Sequence, residues 1–356
     1  MWPYNGYLQE LPRLAAELVQ PLPLRLAPLI FNVIALAVQV LPVAFLLSRR
    51  FDSVVPSLSV RLAGALLYTG EPNSHEIDAN LTNAQWHLAL LAALLVAAVP
   101  RSWWTALLDL PLLALAGLTG PFSILLTPIA LATSLRERRR LPAAAALALT
   151  GIVQLLVLPS ARTGVRHYPA IGLQLADSRI FAGQVLVAGL IGNRGYRILH
   201  ETSGWQRPAL PLVLTLFGAL LAAYALWRGT GFIRLLVVFA ALLLGALVFG
   251  PQDSPAGPDL IADPRAGNRY YFLPILAFDA ALLWLLVRTE TRPLRLLAAL
   301  CLALAVLVAL PADWRYPPLD DSHFGDQVAM FNAAPSGETV VIAIDPPGWS
   351  MQLTKH

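Results

Sequence analysis

Apolar runs alternate with short polar connections along most of this chain. Many approach the ~20 residues that cross a hydrocarbon core. They predict spans at about 27–48, 54–70, 84–100, 104–119, 121–135, 141–158, 209–227, 232–250, 270–287 and 294–310. Lipid cannot satisfy open backbone groups, so repeated runs of this kind imply helices. The expected fold is an all-α polytopic integral membrane protein of about ten transmembrane helices, occupying residues 1–311. Residues 312–356 are polar and form a short tail, with a helix over His323–Ala334, a strand over Thr339–Ile344 and a turn at Pro346–Trp349.

The first stretch breaks this pattern. Leu8, Leu11, Leu14, Ala15 and Leu18 recur at helical spacing, opposite Glu10, Arg13 and Glu17. That predicts an amphipathic helix over residues 5–20, lying at the membrane interface. It lacks the basic region and apolar core of a signal peptide. Within 159–208, the apolar run Ile180–Ile191 is too short to cross and reads as an interfacial or re-entrant helix. Gly120–Pro121 divides one long apolar stretch into a tight helical hairpin.

Composition fits this reading. The chain is 57% hydrophobic and 13% charged, against about 25% charge in a soluble domain. Cys301, the single cysteine, lies in an apolar run, which excludes a disulfide framework and a thiolate metal site. Arg49–Arg50, Arg101, Arg136 with Arg138–Arg140, Arg228 with Arg234, and Arg288, Arg292 and Arg295 fall on one side in strict alternation. The positive-inside rule makes that side cytoplasmic and places both termini of this chain outside. The arginines are scattered between spans and form no basic domain, so no nucleic-acid partner is expected. The arginine- and alanine-rich composition points to a bacterial cytoplasmic membrane.

The densest chemistry sits in the outer connection Tyr68–His87. Glu71, Glu76 and Asp78 are candidate carboxylates for general-base or metal work. His75 is a candidate for sharing a proton with them. Asn80, Asn83 and Gln85 are amides suited to sugar hydroxyls, and Trp86 is either a stacking platform or an interfacial anchor. The bland alternative is a wet loop whose Asn and Asp residues make turns and helix caps. A second group, Gly267–Pro274, sets Arg269 beside Tyr270 and Tyr271 at the outer start of a span. An arginine there either binds phosphate or snorkels within an aromatic belt. Arg162, Arg166, His167, Arg179, Arg194 and Arg197 form a third, anion-suited group on the outer segment. Asp109 and Asp279 lie within apolar runs and read as structural, apart from the outer cluster. No P-loop, Rossmann glycine pattern, zinc spacing or nucleophile elbow is present.

Several of these stretches together resemble the membrane-embedded glycosyltransferases of the GT-C superfamily. They are Gly6-Tyr7-Leu8 with Leu11-Pro12-Arg13, the loop carrying Glu71, Asn80, Asn83, Gln85 and Trp86, the Gly120-Pro121-Phe122 hairpin, Arg269-Tyr270-Tyr271, and Pro347-Gly348-Trp349. The resemblance implies sugar transfer from a polyprenyl-phosphate donor to an extracytoplasmic glycan or lipid acceptor. It also implies an acidic base, accompanied in some members by a divalent metal, Mg or Mn. In the family a first span and an acidic loop precede the stretch matched by Tyr4–Arg13; set against that pattern, this sequence reads either as one whose start is assigned too late or as a remnant. Within this chain Glu71 and Glu76 are the expected bases. Arg13, His75, Asp78, Asn80, Asn83, Gln85, Trp86, Arg269 and Tyr270 are the expected substrate contacts, with no metal ligand assigned. Two other readings stand beside it: a noncatalytic scaffold of envelope biosynthesis, and a lipid-linked glycan transporter. The transporter calls for an internal repeat and mid-membrane polarity. No clear repeat is visible, and the polarity concentrates at the outer face.

Overall fold

The computed structural model describes residues 6–158, 175–249, 261–315, 321–344 and 348–355. Among these, six helical stretches are long and apolar enough to cross a membrane: Leu24–Leu47, Arg138–Val157, Ala209–Arg228, Gly231–Phe249, Asn268–Arg288 and Arg292–Asp313. Leu58–Thr69, Gln85–Ala97, Trp103–Leu118 and Phe122–Ser134 are apolar but shorter. The chain is an all-α, multi-pass membrane protein.

The helices are α1 (Glu10–Val19), α2 (Ala27–Leu47), α3 (Leu58–Thr69), α4 (Gln85–Ala97), α5 (Trp103–Leu118), α6 (Phe122–Ser134), α7 (Leu141–Val157), α8 (Leu175–Arg179), α9 (Ala188–His200), α10 (Ser203–Gln206), α11 (Ala209–Arg228), α12 (Gly231–Phe249), α13 (Phe272–Arg288), α14 (Arg292–Leu304) and α15 (Phe324–Ala333). A π-helical turn, Ile180–Val187, joins α8 to α9. Every residue of α4 is buried, because α2, α5, α6, α12 and α13 surround it. It is apolar along its whole surface, as an interior helix must be. At about 20 Å it is shorter than the bilayer core, and its protein neighbours remove the need to match lipid thickness.

The two ends of the bundle differ in chemistry. At one end the arginine loops tie together. Arg101 donates to the Arg49 carbonyl at 2.9 Å, Arg139 to the Arg101 carbonyl at 3.3 Å, and Arg140 to the Ala97 carbonyl at 3.0 Å. Arg50 grips Asp109 through two hydrogen bonds of 2.7 and 2.6 Å. Asp109 is therefore the structural residue that the sequence led one to expect.

At the other end the segment before α1 is stitched into the α5–α6 turn. The Leu8 amide donates to Gln154 Oε1 at 2.9 Å, and the Gly120 amide to the Leu8 carbonyl at 2.9 Å. Gln154 Nε2 reaches the Gly117 and Gly120 carbonyls at 3.1 and 3.0 Å. Gly120 has a φ of 104°, and a Cβ there would sit 2.4 Å from Gln85 Oε1. Glycine is needed at that turn for both reasons. Within α1, Leu11, Ala15 and Val19 are buried, while Leu14 and Leu18 face outward. The expected apolar stripe is thus split between the core and the surroundings.

The Ile180–Ile191 stretch is a buried element rather than one laid on the surface. Both its ends return to the polar end of the bundle. Arg179 donates to the Gln206 carbonyl at 2.7 Å, just before α11, and Asn193 Nδ2 donates to Asn73 and to the Pro264 carbonyl. Gly192, with φ 78°, breaks the helix between these ends.

The tail carries α15 and an antiparallel hairpin, β1 (Thr339–Ile344) with β2 (Trp349–Thr354). The expected helix and strand are both present. α15 packs on Leu24–Leu26, at the start of the first long apolar helix.

Candidate functional site

The Gly70–Ala84 connection is mostly interior. Glu71, Pro72, Asn73, Ser74 and Ile77 are buried, whereas His75, Asn80 and Thr82 are exposed. Asn73 (φ 61°) and Ala79 (φ 50°) lie in the left-handed region, which is costly for alanine. Hydrogen bonds hold both. The Asn73 amide donates to Asp313 Oδ2 at 2.8 Å, and the Ala79 amide to Gln39 Oε1 at 3.0 Å. A connection this tightly wired presents a few chosen groups and encloses the rest.

The enclosed groups form two sets. In the first, Gln39 of α2 donates to Asp78 Oδ1 at 2.8 Å, Ser74 donates to Asp78 Oδ2 at 2.9 Å, and Tyr68 donates to the Gln39 carbonyl at 2.7 Å. Tyr68 also lies 2.9 Å from His87 Nδ1. Glu71 sits behind this set, 1% exposed, and neither carboxylate oxygen has a hydrogen-bond partner among the described residues. Burial pushes its carboxyl well above the usual range, and the nearby Asp279 and then Asp78 charges push the same way. Asp279 is itself 1% exposed, and among the described residues both of its oxygens lack a partner. The expectation that Asp279 stands apart from the outer cluster is corrected here. Helix α13 delivers it to the back of the loop, because α13 packs beside α3.

The second enclosed set is a seam. Asn193 donates to Asn73 Oδ1 at 2.9 Å, and its amide donates to Asp313 Oδ2 at 2.7 Å. Gln184 of the π turn donates to the Asp263 carbonyl at 2.8 Å. Gln39, Gln184 and Asn193 escaped the sequence reading, which puts Asp313 among the outer acids without a role in the site. Their one signal was a lone polar side chain within or just beyond an apolar run.

The presented groups lie on the rim. Arg269 donates to Glu76 Oε2 from its backbone amide at 3.2 Å and from Nη1 at 3.1 Å. Its Nη2 reaches Tyr270 Oη at 3.2 Å, and the guanidinium lies over the Tyr270 ring. The two side chains are 36% and 25% exposed. His75 is exposed, with Nδ1 at 3.4 Å from Asn268 Nδ2.

The remaining expected contacts fall elsewhere. Asn80 and Asn83 donate to the Glu76 carbonyl at 3.0 and 2.8 Å, and Asn80 Oδ1 accepts from the Thr82 and Asn83 amides. They shape the loop beneath Glu76. Gln85 is buried and donates to Tyr7 Oη at 3.4 Å. Trp86 is buried too, with its ring occupied by Phe122 at 4.7 Å and Tyr270 at 5.8 Å. Neither outcome expected for Trp86, platform or interfacial anchor, fits that position. Among the described residues no ion pair joins Arg13 to the rim. Arg194 and Arg197 are exposed, while Arg162, Arg166, His167, Tyr4 and Pro347 lie outside the described residues. Among the described residues no three His, Cys, Asp or Glu side chains gather to hold a metal ion. The described residues thus offer no donor set for Mg or Mn, and the chemistry below uses neither.

Fold and site together define a multi-pass helical membrane protein with a rigid polar end and an arginine–carboxylate pair on its rim. Compared with protein-family models, curated proteins and solved structures, the chain matches none.

Proposed function

We propose that this protein is a membrane glycosyltransferase that moves a sugar from a polyprenyl-phosphate donor to a glycan or lipid acceptor outside the cytoplasm. The observation that carries the reading is the Glu76–Arg269 pair, a half-exposed base and a half-exposed cation 3.1 Å apart at the polar end of the bundle. Arg269, backed by Tyr270, receives the donor phosphate by charge-assisted hydrogen bonds. Glu76, released from Arg269, takes the proton of the acceptor hydroxyl. The acceptor oxygen bonds to the anomeric carbon as the carbon–phosphate oxygen bond breaks. The sugar inverts, and the lipid phosphate leaves against Arg269. Glu71 is not the base, since it is sealed behind the loop. His75 stands beside the pair, able to contact the sugar. In this reading ten helices cross a bacterial cytoplasmic membrane, the arginine loops face the cytoplasm, and both termini of the chain lie outside.

The test is transfer of radiolabelled sugar from a synthetic polyprenyl-phosphate donor by the purified protein in liposomes, beside Glu76→Gln and Arg269→Ala. Loss of turnover in both folded variants supports the assignment. Undiminished turnover in either one defeats it. The second reading is a noncatalytic scaffold. It is favoured by the way Asn80, Asn83 and Asp78 spend their hydrogen bonds inside the loop. A well-folded protein inert towards every donor would select it.

A further inference from the structure

Between α2, α3, α4, α12 and α13 runs a partly open cleft of about 160 Å³, lined almost wholly by apolar groups. It extends from Tyr68 and Asp279 to Arg61 and Arg288. Arg288 lies nine helical positions beyond Asp279, about 13 Å along the axis. Gly64 forms part of its wall, and a Cβ there would only touch Leu46 at 3.6 Å. Phe232 and Trp284 supply aromatic lining beside Tyr68.

Two observations set this cleft apart from ordinary lipid-filled space. Asp279 is buried in its wall, and among the described residues neither of its carboxylate oxygens has a hydrogen-bond partner. A buried acceptor left unmade is costly, so these two oxygens call for an occupant that satisfies them. The positive charges do not serve them. Arg61 is taken by Asp52 at 2.6 Å and by the Leu46 and Ser48 carbonyls. Arg288 is exposed at the far end.

We infer that the cleft is a binding site for an organic cation, an ammonium group on an apolar body, with the ammonium at Asp279 and the body between Phe232, Trp284 and Gly64. The chemistry of each part matches. An ammonium donates to carboxylate oxygens that otherwise have no donor. Aromatic faces attract cations, and the apolar walls take up the hydrocarbon. The other titratable groups facing this point are Glu71 and Tyr68, with His87 behind Tyr68, and Cys301 of α14. None of them is a cation, so nothing within the shell replaces the ligand. This inference does not depend on glycosyl transfer at the rim.

The experiment is equilibrium dialysis of the purified full chain with phenylbutylammonium. Phenylbutanol and phenylbutyrate serve as neutral and anionic bodies of the same shape. The expected result is saturable uptake of the ammonium in preference to both comparators, weakened about tenfold or more in Asp279→Asn. Gly64→Leu fills the cleft without touching the carboxyls and is expected to weaken uptake equally. If Asp279→Asn fails to fold, Gly64→Leu and Trp284→Ala carry the test. Absence of saturable uptake by the unaltered protein overturns the inference. So does unchanged affinity in a folded Asp279→Asn or Gly64→Leu variant. Preference for phenylbutyrate also overturns it and assigns the cleft to anionic amphiphiles.

Discussion

Asn193 donates its side-chain amide to Asn73 at 2.9 Å, joining positions 120 residues apart in the chain. The same two residues share a third partner, since Asp313 Oδ2 accepts from both of their backbone amides. Asp313 Oδ1 also accepts from the Arg194 amide at 3.3 Å, so one carboxylate caps the helix that restarts after Gly192 and anchors the outer loop. Asp313→Ala removes both oxygens that accept these three hydrogen bonds and leaves the buried Asn73 and Asn193 amides without that partner. Hydrogen bonds to charged groups contribute about 1.5–3 kcal/mol each, and the cap is part of that sum. The expected outcome is a fall of several degrees in the melting temperature in detergent. Limited proteolysis should cut first within 70–84. An unchanged melt would show that the seam is not a stabilising unit.

Arg50 and Asp109 form a two-pronged pair at the opposite end, with Asp109 almost fully buried. Removing one partner leaves the other without its counter-charge. Asp109→Ala is expected to destabilise by roughly 2 kcal/mol. Arg50→Ala/Asp109→Ala together should cost less than the sum of the single changes. A double-mutant cycle on thermal unfolding reads the coupling directly. Additive effects would show that the pair contributes nothing.

Glu71 gives a pH signature. Its folded carboxyl holds its proton to a higher pH than the ordinary value of 4.5. As pH rises past that value, the unfolded chain releases this proton first. The stability tied to a neutral Glu71 is therefore complete below about pH 4.5 and declines as pH climbs towards the folded value. Glu71→Gln keeps the shape and cannot ionise. It should melt close to the unaltered protein at pH 4 and above it at pH 8. Parallel melting curves across that range would contradict the buried, proton-holding carboxyl.

Orientation is open to a direct measurement because Cys301 is the chain's one cysteine. In a Cys301→Ser background, Asn80→Cys should react with a membrane-impermeant maleimide applied to intact cells. Arg138→Cys should react only after the membrane is permeabilised. The reverse pattern would turn the bundle over and place the Glu76–Arg269 pair in the cytoplasm.

Much of the architecture was legible before any coordinates. Hydrophobic length and spacing located the helices, the short arginine loops divided the molecule into two ends, and the Gly120–Pro121 pair marked the hairpin. These are local or one-dimensional properties, set by backbone satisfaction in lipid and by charge next to a membrane. The Glu76–Arg269 contact was half visible, because each residue stood in a polar cluster beside a span. What joined them was not, since they stand 193 positions apart in the chain.

The fates of individual polar residues were a matter for the tertiary structure. Glu71 and Glu76 stand five positions apart in one loop, yet one is sealed beside Asp279 and the other lies on the rim. Trp86 turned inward because Phe122 and Tyr270 close over it. Asp279 became part of the loop's inner wall only because α13 packs beside α3. The sequence alone determined that this protein is a helical membrane bundle with one polar and one arginine-rich end. Which carboxylates meet solvent, which meet each other and which line the cleft depended on side chains brought together from distant helices, and no spacing along the chain encodes that.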